Sequence, residues 1–178
     1  LADVRLKDGS VVTAHCPNSG SMTTCSEPGR PVFISKSDNP KRKLAYTWEL
    51  IDMGSSLVGV NTNVPNRLVK AACEARVVPE LSDYGTVAAE VTVNAHTRLD
   101  LMLSDPDLGR CYVEIKNCTL VTDGLACFPD AVTSRGLKHL EELEALHRQG
   151  NRCVVFYLIQ RMDAHRFSPA DHVDPAYG

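Results

Sequence analysis

Short apolar alternations punctuated by Gly, Pro, Asn and Asp run from the start of the chain to about residue 62, the pattern of a small all-β unit. Asp8-Gly9 separates Val4-Arg5-Leu6-Lys7 from Ser10-Val11-Val12-Thr13-Ala14, a strong short-range hairpin signal. Further strands are expected at Pro31 to Ser35, Leu44 to Asp52 and Leu57 to Thr62. Five short strands suit a small barrel or sandwich, including the OB-fold. After residue 62 the period changes. Asn63 can cap and Pro65 can start a helix on which Leu68, Ala71, Ala72 and Ala75 recur at helical spacing. Strands follow at Val87 to Val93, Arg98 to Leu103 and Cys111 to Lys116, then a helix from about Ser134 to Gln149 and a buried strand from Cys153 to Gln160. Strand, helix, strand implies a parallel pair. The expected fold is α/β with an all-β N-terminal part, divided at 1–63 and 64–178.

The helix over 134–149 carries Leu137, Leu140, Leu143 and Leu146 as an apolar stripe, with Gly150 as its stop. Asp130, Thr133 and Ser134 are candidate caps, and a helix N-terminus beside Arg135 can hold an anion.

Composition narrows the function classes. The 178 residues are 43% hydrophobic and 23% charged, ordinary for a globular chain. With 19 basic and 22 acidic residues the net charge is −3, so any polyanion site is a local patch rather than a global field. Seven cysteines form no C-x-x-C pair, which reads as reduced, mostly buried thiols in a cytoplasmic protein. No apolar run approaches a membrane span and no signal segment opens the chain. Leu1 in place of Met, and an end at Tyr177-Gly178, leave both termini open to extension.

One hairpin carries chemistry. In Arg98-Leu99-Asp100-Leu101-Met102-Leu103 the period of two places the three leucines on one face and Asp100 on the other. In Cys111-Tyr112-Val113-Glu114-Ile115-Lys116 it likewise sets Glu114 and Lys116 together. A hairpin symmetric about Asp107 puts Asp100 opposite Glu114, since 107 is the mean of 100 and 114. Facing carboxylates destabilise a sheet unless something compensates them. Mg²⁺ or Mn²⁺ held by Asp100 and Glu114, with the Lys116 ammonium beside it, suffices and suits phosphodiester hydrolysis. Glu90 is a candidate third metal ligand and Glu74 a weaker one. The bland alternative is a solvated sheet face on which Lys116 pairs with Glu114.

Two other clusters invite function. Lys41-Arg42-Lys43 follows Pro40 and lies near Tyr46 and Trp48, a combination that can contact phosphates and stack on bases. The alternative is a solvated basic loop with Trp48 in the core. Arg67, Arg98, Arg135, Lys138 and His139 can widen a phosphate track if the two halves face one cleft. His15-Cys16-Pro17-Asn18-Ser19-Gly20 offers a Cys–His catalyst, or simply a turn with Cys16 packed inside.

D-x(13)-E-x-K resembles the PD-(D/E)xK nuclease superfamily, with Leu99 where the motif has proline. Several further runs, among them His15 to Gly20, Ser37 to Lys43, Tyr46 to Leu50, Pro65 to Leu68, Glu114 to Lys116 and Phe128 to Leu140, are similar to the sugar fermentation stimulation protein family, SfsA. The resemblance implies an OB-fold joined to a PD-(D/E)xK nuclease-like domain, in a protein that binds DNA with little sequence preference; the expected partner is double-stranded DNA. It also implies a chain longer at both ends. A non-catalytic DNA-binding regulator of sugar metabolism genes is the alternative; oligomeric state is left open.

Overall fold

The computed structural model describes every residue of the chain except His96. The first unit contains β1 (Ala2–Arg5), β2 (Val11–His15), β3 (Val32–Lys36), β4 (Tyr46–Asp52) and β5 (Leu57–Gly59). Asp8 makes the first turn: its carboxylate accepts the Ser10 N–H at 2.9 Å, and Gly9 takes φ +87°, a region that Cβ-bearing residues avoid. β4 is the hub. It pairs in parallel with β2 and antiparallel with β3 and β5. Ala14, Trp48, Ile51, Val58 and Val60 form the core beneath it.

The second unit is built on a four-stranded sheet in the order β11-β8-β7-β6. Along the chain it runs α1 (Val64–Glu74), a single 3-10 turn at Pro79–Leu81, β6 (Thr86–Thr92), β7 (Arg98–Asp105), β8 (Gly109–Cys118), β9 (Leu120–Thr122), β10 (Leu125–Phe128), α2 (Ser134–Arg148), β11 (Arg152–Ile159) and β12 (Arg166–Pro169). β8 and β11 are parallel across α2, as the strand–helix–strand pattern requires. Val69 and Cys73 of α1 pack on Leu101, Leu103, Val113 and Ile115, while Leu143 and Leu146 of α2 pack with Leu99, Tyr112 and Val155. β8 is therefore covered on both faces. β12, β10 and β9 form a small separate sheet that sequence periodicity misses, because strands of three or four residues carry too few alternations.

The β7–β8 hairpin has the expected centre. Asp105 Oδ1 accepts the N–H groups of Asp107 and Leu108 at 2.9 and 3.3 Å, Gly109 takes φ +75°, and the register runs Asp105↔Gly109 to Leu101↔Val113. The ladder stops there. Instead of forming the next rung, the Asp100 carboxylate accepts the Ile115 N–H at 2.7 Å. On the other side, Glu90 adopts φ +55° and the Asp100 rung is likewise missing between Ala89↔Leu101 and Val91↔Leu99. The strand turns at this point, so Leu99 joins the α2-side cluster while Leu101 and Leu103 remain on the α1 side. This corrects the period-two expectation of one leucine face. Two capping expectations divide. Asn63 makes no side-chain cap on α1, its own N–H being taken by Asn61 Oδ1, whereas Thr133 Oγ1 caps α2 by accepting the Gly136 N–H at 3.1 Å.

The two units are joined by polar contacts. Arg161, 5% exposed, donates to the Thr24 and Thr119 carbonyls at 3.2 and 2.9 Å and forks onto both oxygens of Asp163 at 2.6 and 2.7 Å. Gly59 N–H donates to the Gln160 carbonyl at 2.8 Å, and Met162 N–H to Ser56 Oγ at 2.8 Å. All seven cysteines are free thiols. Among the described residues no helix is long and apolar enough to cross a membrane.

Candidate metal and nucleic-acid site

Where β7 leaves β8, a cavity of about 330 Å³ opens, lined by Asp100, Glu114, Lys116, His139, Asn66 and Arg135, with Ser19 and Thr62 of the first unit on its other side. Glu114 is only 3% exposed. Its Oε1 accepts from Lys116 Nζ at 2.7 Å and is also hydrogen-bonded to His139 Nδ1. Among the described residues its Oε2 is buried without a partner. Buried carboxylate oxygens are seldom left so, and this one belongs to the residue that the hairpin pattern singles out.

Asp100 has a different environment. Asn66 Nδ2 donates to Oδ1 at 2.7 Å, and the Ile115 N–H donates to Oδ2. Burial pushes its carboxyl above the usual range, and the neighbouring Glu114 charge pushes it the same way. Both groups that support it by hydrogen bonds are neutral. The two acids are thus brought together as expected, and Lys116 with them.

The structure adds two residues to this site. Asn66 comes from the first turn of α1, just after buried Pro65. His139 comes from α2, 25 residues after Glu114 in the chain. The sequence marks His139 only as a member of a basic track, because a helix-to-strand contact has no short-range signature.

Glu90 does not join the acids. It lies on the rim of the adjoining cleft, where its carboxylate pairs with Arg98 Nε at 2.7 Å, both side chains more than half exposed. Among the described residues no group of three or more His, Cys, Asp or Glu side chains gathers as a metal cluster. Glu74 is tied to Lys70 on α1. That cleft, about 950 Å³, runs from Asp100 past Arg98, Arg135 and Lys138, and also past Glu141 and Glu142. It is therefore of mixed sign rather than a purely basic track.

Other expected residues fall elsewhere. Lys41, Arg42 and Lys43 are exposed, Arg42 donating to Thr47 Oγ1 at 3.0 Å, and they line neither the cavity nor the cleft. Arg67 is exposed on α1 and also lines neither. Trp48 corrects its expectation. It is 8% exposed in the first core, its indole N–H donates to the Leu50 carbonyl at 3.0 Å, and no face is left for a base. Cys16 Sγ lies 3.6 Å from both the Asn18 carbonyl and Met22 Sδ and packs on the first core. It makes no hydrogen bond to His15, so the turn reading of this segment holds and the Cys–His dyad does not.

Residues 1–60 match the family model described as SfsA N-terminal OB domain, and residues 63–178 the one described as Sugar fermentation stimulation protein RE domain. A sugar fermentation stimulation protein homolog of Geobacter sulfurreducens is 56% identical over 178 residues, all of this chain and 76% of that relative's length. This chain belongs to the SfsA family. A second SfsA homolog, from Acidithiobacillus ferrooxidans, is 50% identical over 179 residues and is matched over 77% of its length. The fold agrees with a solved structure of Pyrococcus furiosus SfsA in complex with Ca²⁺: TM-score 0.85 at 23% identity, over 95% of this chain and 71% of that one. The five-stranded first unit is accordingly an OB domain. The hairpin with Asp100, Glu114 and Lys116 lies in the C-terminal domain of the family.

Proposed function

We propose that this SfsA-family protein binds DNA with little sequence preference and hydrolyses phosphodiesters at a Mg²⁺- or Mn²⁺-dependent site formed by Asp100, Glu114 and Lys116. The observation that carries this reading is the convergence of two carboxylates in one cavity, one of them with a buried, unpartnered oxygen. The donor set suits a hard divalent cation, which takes carboxylate oxygens. Asp100 and the free oxygen of Glu114 would hold it, and the solved SfsA of the same fold carries Ca²⁺. When bound, such an ion supplies Lewis-acid charge neutralisation and a more acidic water.

The chain's own groups perform the rest. Lys116 and His139 fix Glu114 through Oε1, which leaves Oε2 as the atom free to ligate. The Lys116 ammonium, 12% exposed, sets a positive charge where a phosphate gains negative charge during attack. Arg135 and Lys138 line the cleft beside Asp100 and can hold flanking phosphates. Contacts of this kind carry no base information, in keeping with weak sequence preference. The exposed Lys41-Arg42-Lys43 turn of the OB domain would add sequence-independent phosphate contacts.

One observation favours the non-catalytic regulator: Glu90 is paired with Arg98, so among the described residues only two carboxylates face the cavity. Incubating supercoiled plasmid with the protein and Mn²⁺, beside Asp100→Ala and Glu114→Ala, separates the readings. Nicking that both substitutions abolish while DNA binding persists supports hydrolysis. Binding without nicking in every protein leaves the regulator. Nicking that persists in both variants refutes the site.

A further inference from the structure

Next to the carboxylate cavity lies a second one of about 220 Å³, lined by Asn18, Gly20, Thr119, Pro129 and others. The two share Ser19, Thr62, Asn117, Phe128 and Thr133 along their common wall. The second cavity has a different chemistry. Among the described residues its lining is hydroxyls, amides, one aromatic ring, a few aliphatic side chains and one carboxylate, without a single cation. Its one charged residue, Asp130, is already engaged, accepting the Met22 N–H at 3.2 Å and lying against Gly20, where any Cβ would collide with it. A phosphate has no counter-charge here. The cations lie beyond the shared wall, Lys116 and Arg135 on the carboxylate cavity and Arg98 and Lys138 on the long cleft.

Asn117 carries the second observation. Only two buried side-chain polar atoms of the described residues lack a partner, Glu114 Oε2 and Asn117 Nδ2, and both residues line the carboxylate cavity. The orientation of the Asn117 amide is fixed. Gln160 Nε2 donates to the Gly59 carbonyl at 3.4 Å, so it is the nitrogen of that amide. It also lies 2.8 Å from Asn117 Oδ1, which assigns the carbonyl end of Asn117 to that contact and leaves its N–H₂ without an acceptor. An unused donor is what a heterocyclic carbonyl or ring nitrogen requires.

We propose that this neutral pocket receives an unpaired nucleobase, so that DNA is engaged at the carboxylates with one nucleotide turned out of its stack. The inference deepens the proposed function and rests on it. The pocket is smaller than the roughly 300 Å³ at which pockets for drug-sized ligands begin, which suits one base and excludes a base pair. An extruded base is read by hydrogen bonds to its edge and by contact with aromatic or apolar side chains. Asn117, the hydroxyls and the Phe128 ring supply both. Charged backbone in the cleft and a neutral base in the pocket would place the intervening phosphate at Asp100 and Glu114. The favoured substrate is then single-stranded, gapped or bulged DNA rather than the intact duplex expected from the sequence.

The test uses the whole chain with Ca²⁺ as the only divalent ion, and with a gel check that the DNA stays intact, so that binding is read apart from cleavage while the carboxylates can still hold a cation. Fluorescence anisotropy compares a labelled single strand, the same strand in a perfect duplex, and that duplex with a one-nucleotide bulge. The single strand and the bulge are expected to bind at least tenfold tighter than the perfect duplex. Asn117→Ala should weaken those two about fivefold, the loss of one hydrogen bond, and leave the perfect duplex unchanged. On the unaltered protein, deoxynucleoside monophosphates should displace the single strand at lower concentration than inorganic phosphate, a readout independent of any variant's folding. Equal affinity for all three DNAs, equal weakening of all three by Asn117→Ala, or equal competition by phosphate would overturn the pocket and leave the proposed function standing. Failure to bind any DNA would overturn both.

Discussion

The seam between the two units can be tested quantitatively through Arg161. This buried guanidinium donates to the Thr24 and Thr119 carbonyls and to both oxygens of Asp163, so Arg161→Met takes the donor from the Thr24 carbonyl and the cation from Asp163, while the Thr119 carbonyl keeps the Thr24 hydroxyl at 3.0 Å. Removing one partner of a buried ion pair costs about 3–5 kcal/mol. Asp163 is 20% exposed and keeps the Ser55 hydroxyl at 3.0 Å, which places the expected loss near the lower end, about 3 kcal/mol. Urea unfolding of the wild type, Arg161→Met, Asp163→Asn and the double variant should give a coupling energy of about 1–2 kcal/mol.

The pH dependence of that coupling has a definite sign. Hydrogen bonds from Arg161 are the main cause of an Asp163 carboxyl lowered to about 2. A carboxyl depressed in the folded state contributes stability that is present above its unfolded value of 3.8 and is lost as pH falls toward about 2. Solvent screening at this partly exposed group limits the contribution to about 1 kcal/mol. The coupling should therefore be flat from about pH 7 to 5 and shrink below about pH 4. A double variant whose effects simply add at neutral pH, or a coupling that grows on acidification, would refute this account of the seam. Because Ser19 and Thr62 reach the cavity from the first unit's side, Arg161→Met should also weaken DNA binding while Asp100 and Glu114 remain intact.

Other expectations concern the site and its surroundings. His139→Ala should lower Mn²⁺ affinity about tenfold by freeing Glu114 to turn, as expected for a group that orients a ligand, with His139→Gln recovering part of it; titration followed by the Mn²⁺ electron paramagnetic resonance signal reads this without any turnover. Asp100, raised by burial and by Glu114, contributes proton-linked stability that is full below 3.8 and lost as pH climbs through its elevated folded value. In metal-free buffer Asp100→Ala should thus be more destabilising at about pH 4 than at about pH 7, measured by thermal unfolding. Trp48→Ala should cost about 3–5 kcal/mol in stability, and Trp48→Phe should leave DNA affinity unchanged. Replacing Lys41, Arg42 and Lys43 by Ala should cost only about 1 kcal/mol of stability, the Arg42–Thr47 hydrogen bond, and make the salt dependence of DNA binding shallower, by up to about 0.9 for each phosphate the turn no longer neutralises.

Much of this architecture was legible because its determinants are local. The Asp105-to-Gly109 turn sets the β7–β8 register, and symmetry about Asp107 then fixes which residues approach each other, so Asp100 and Glu114 could be paired from spacing alone. Leu99 could not be placed, since alternation assumes an unbroken ladder and the Asp100 carboxylate interrupts it by taking the Ile115 N–H. Trp48 shows another limit: nearness to Lys41–Lys43 along the chain says nothing about which face of β4 a ring occupies. His139 and Asn66 reach the site from helices 25 and 34 residues away from their partners, and the Arg161–Thr24 contact spans 137 residues. No periodicity encodes such meetings.

Under the proposed function, the uneven compensation of the two acids is the reason a cation would be held in this gap. Glu114 is held by Lys116 and His139, both on Oε1, yet among the described residues its other oxygen remains unpartnered. Asp100 is the reverse, with both oxygens bonded but only to the neutral donors Asn66 and Ile115. One acid has an oxygen without a partner, and the other has no cation bonded to it directly. A further hydrogen-bond donor would satisfy the first and leave the second carrying the cost of a buried, weakly compensated carboxylate. A monovalent side chain would have to enter a cavity that Lys116 already occupies. A small divalent ion, bound as proposed, would answer both needs at once, meeting the free oxygen of Glu114 and adding positive charge beside Asp100. The interruption of the ladder at Asp100 would leave room for such an ion, since an unbroken antiparallel pair would have spent that space on a rung.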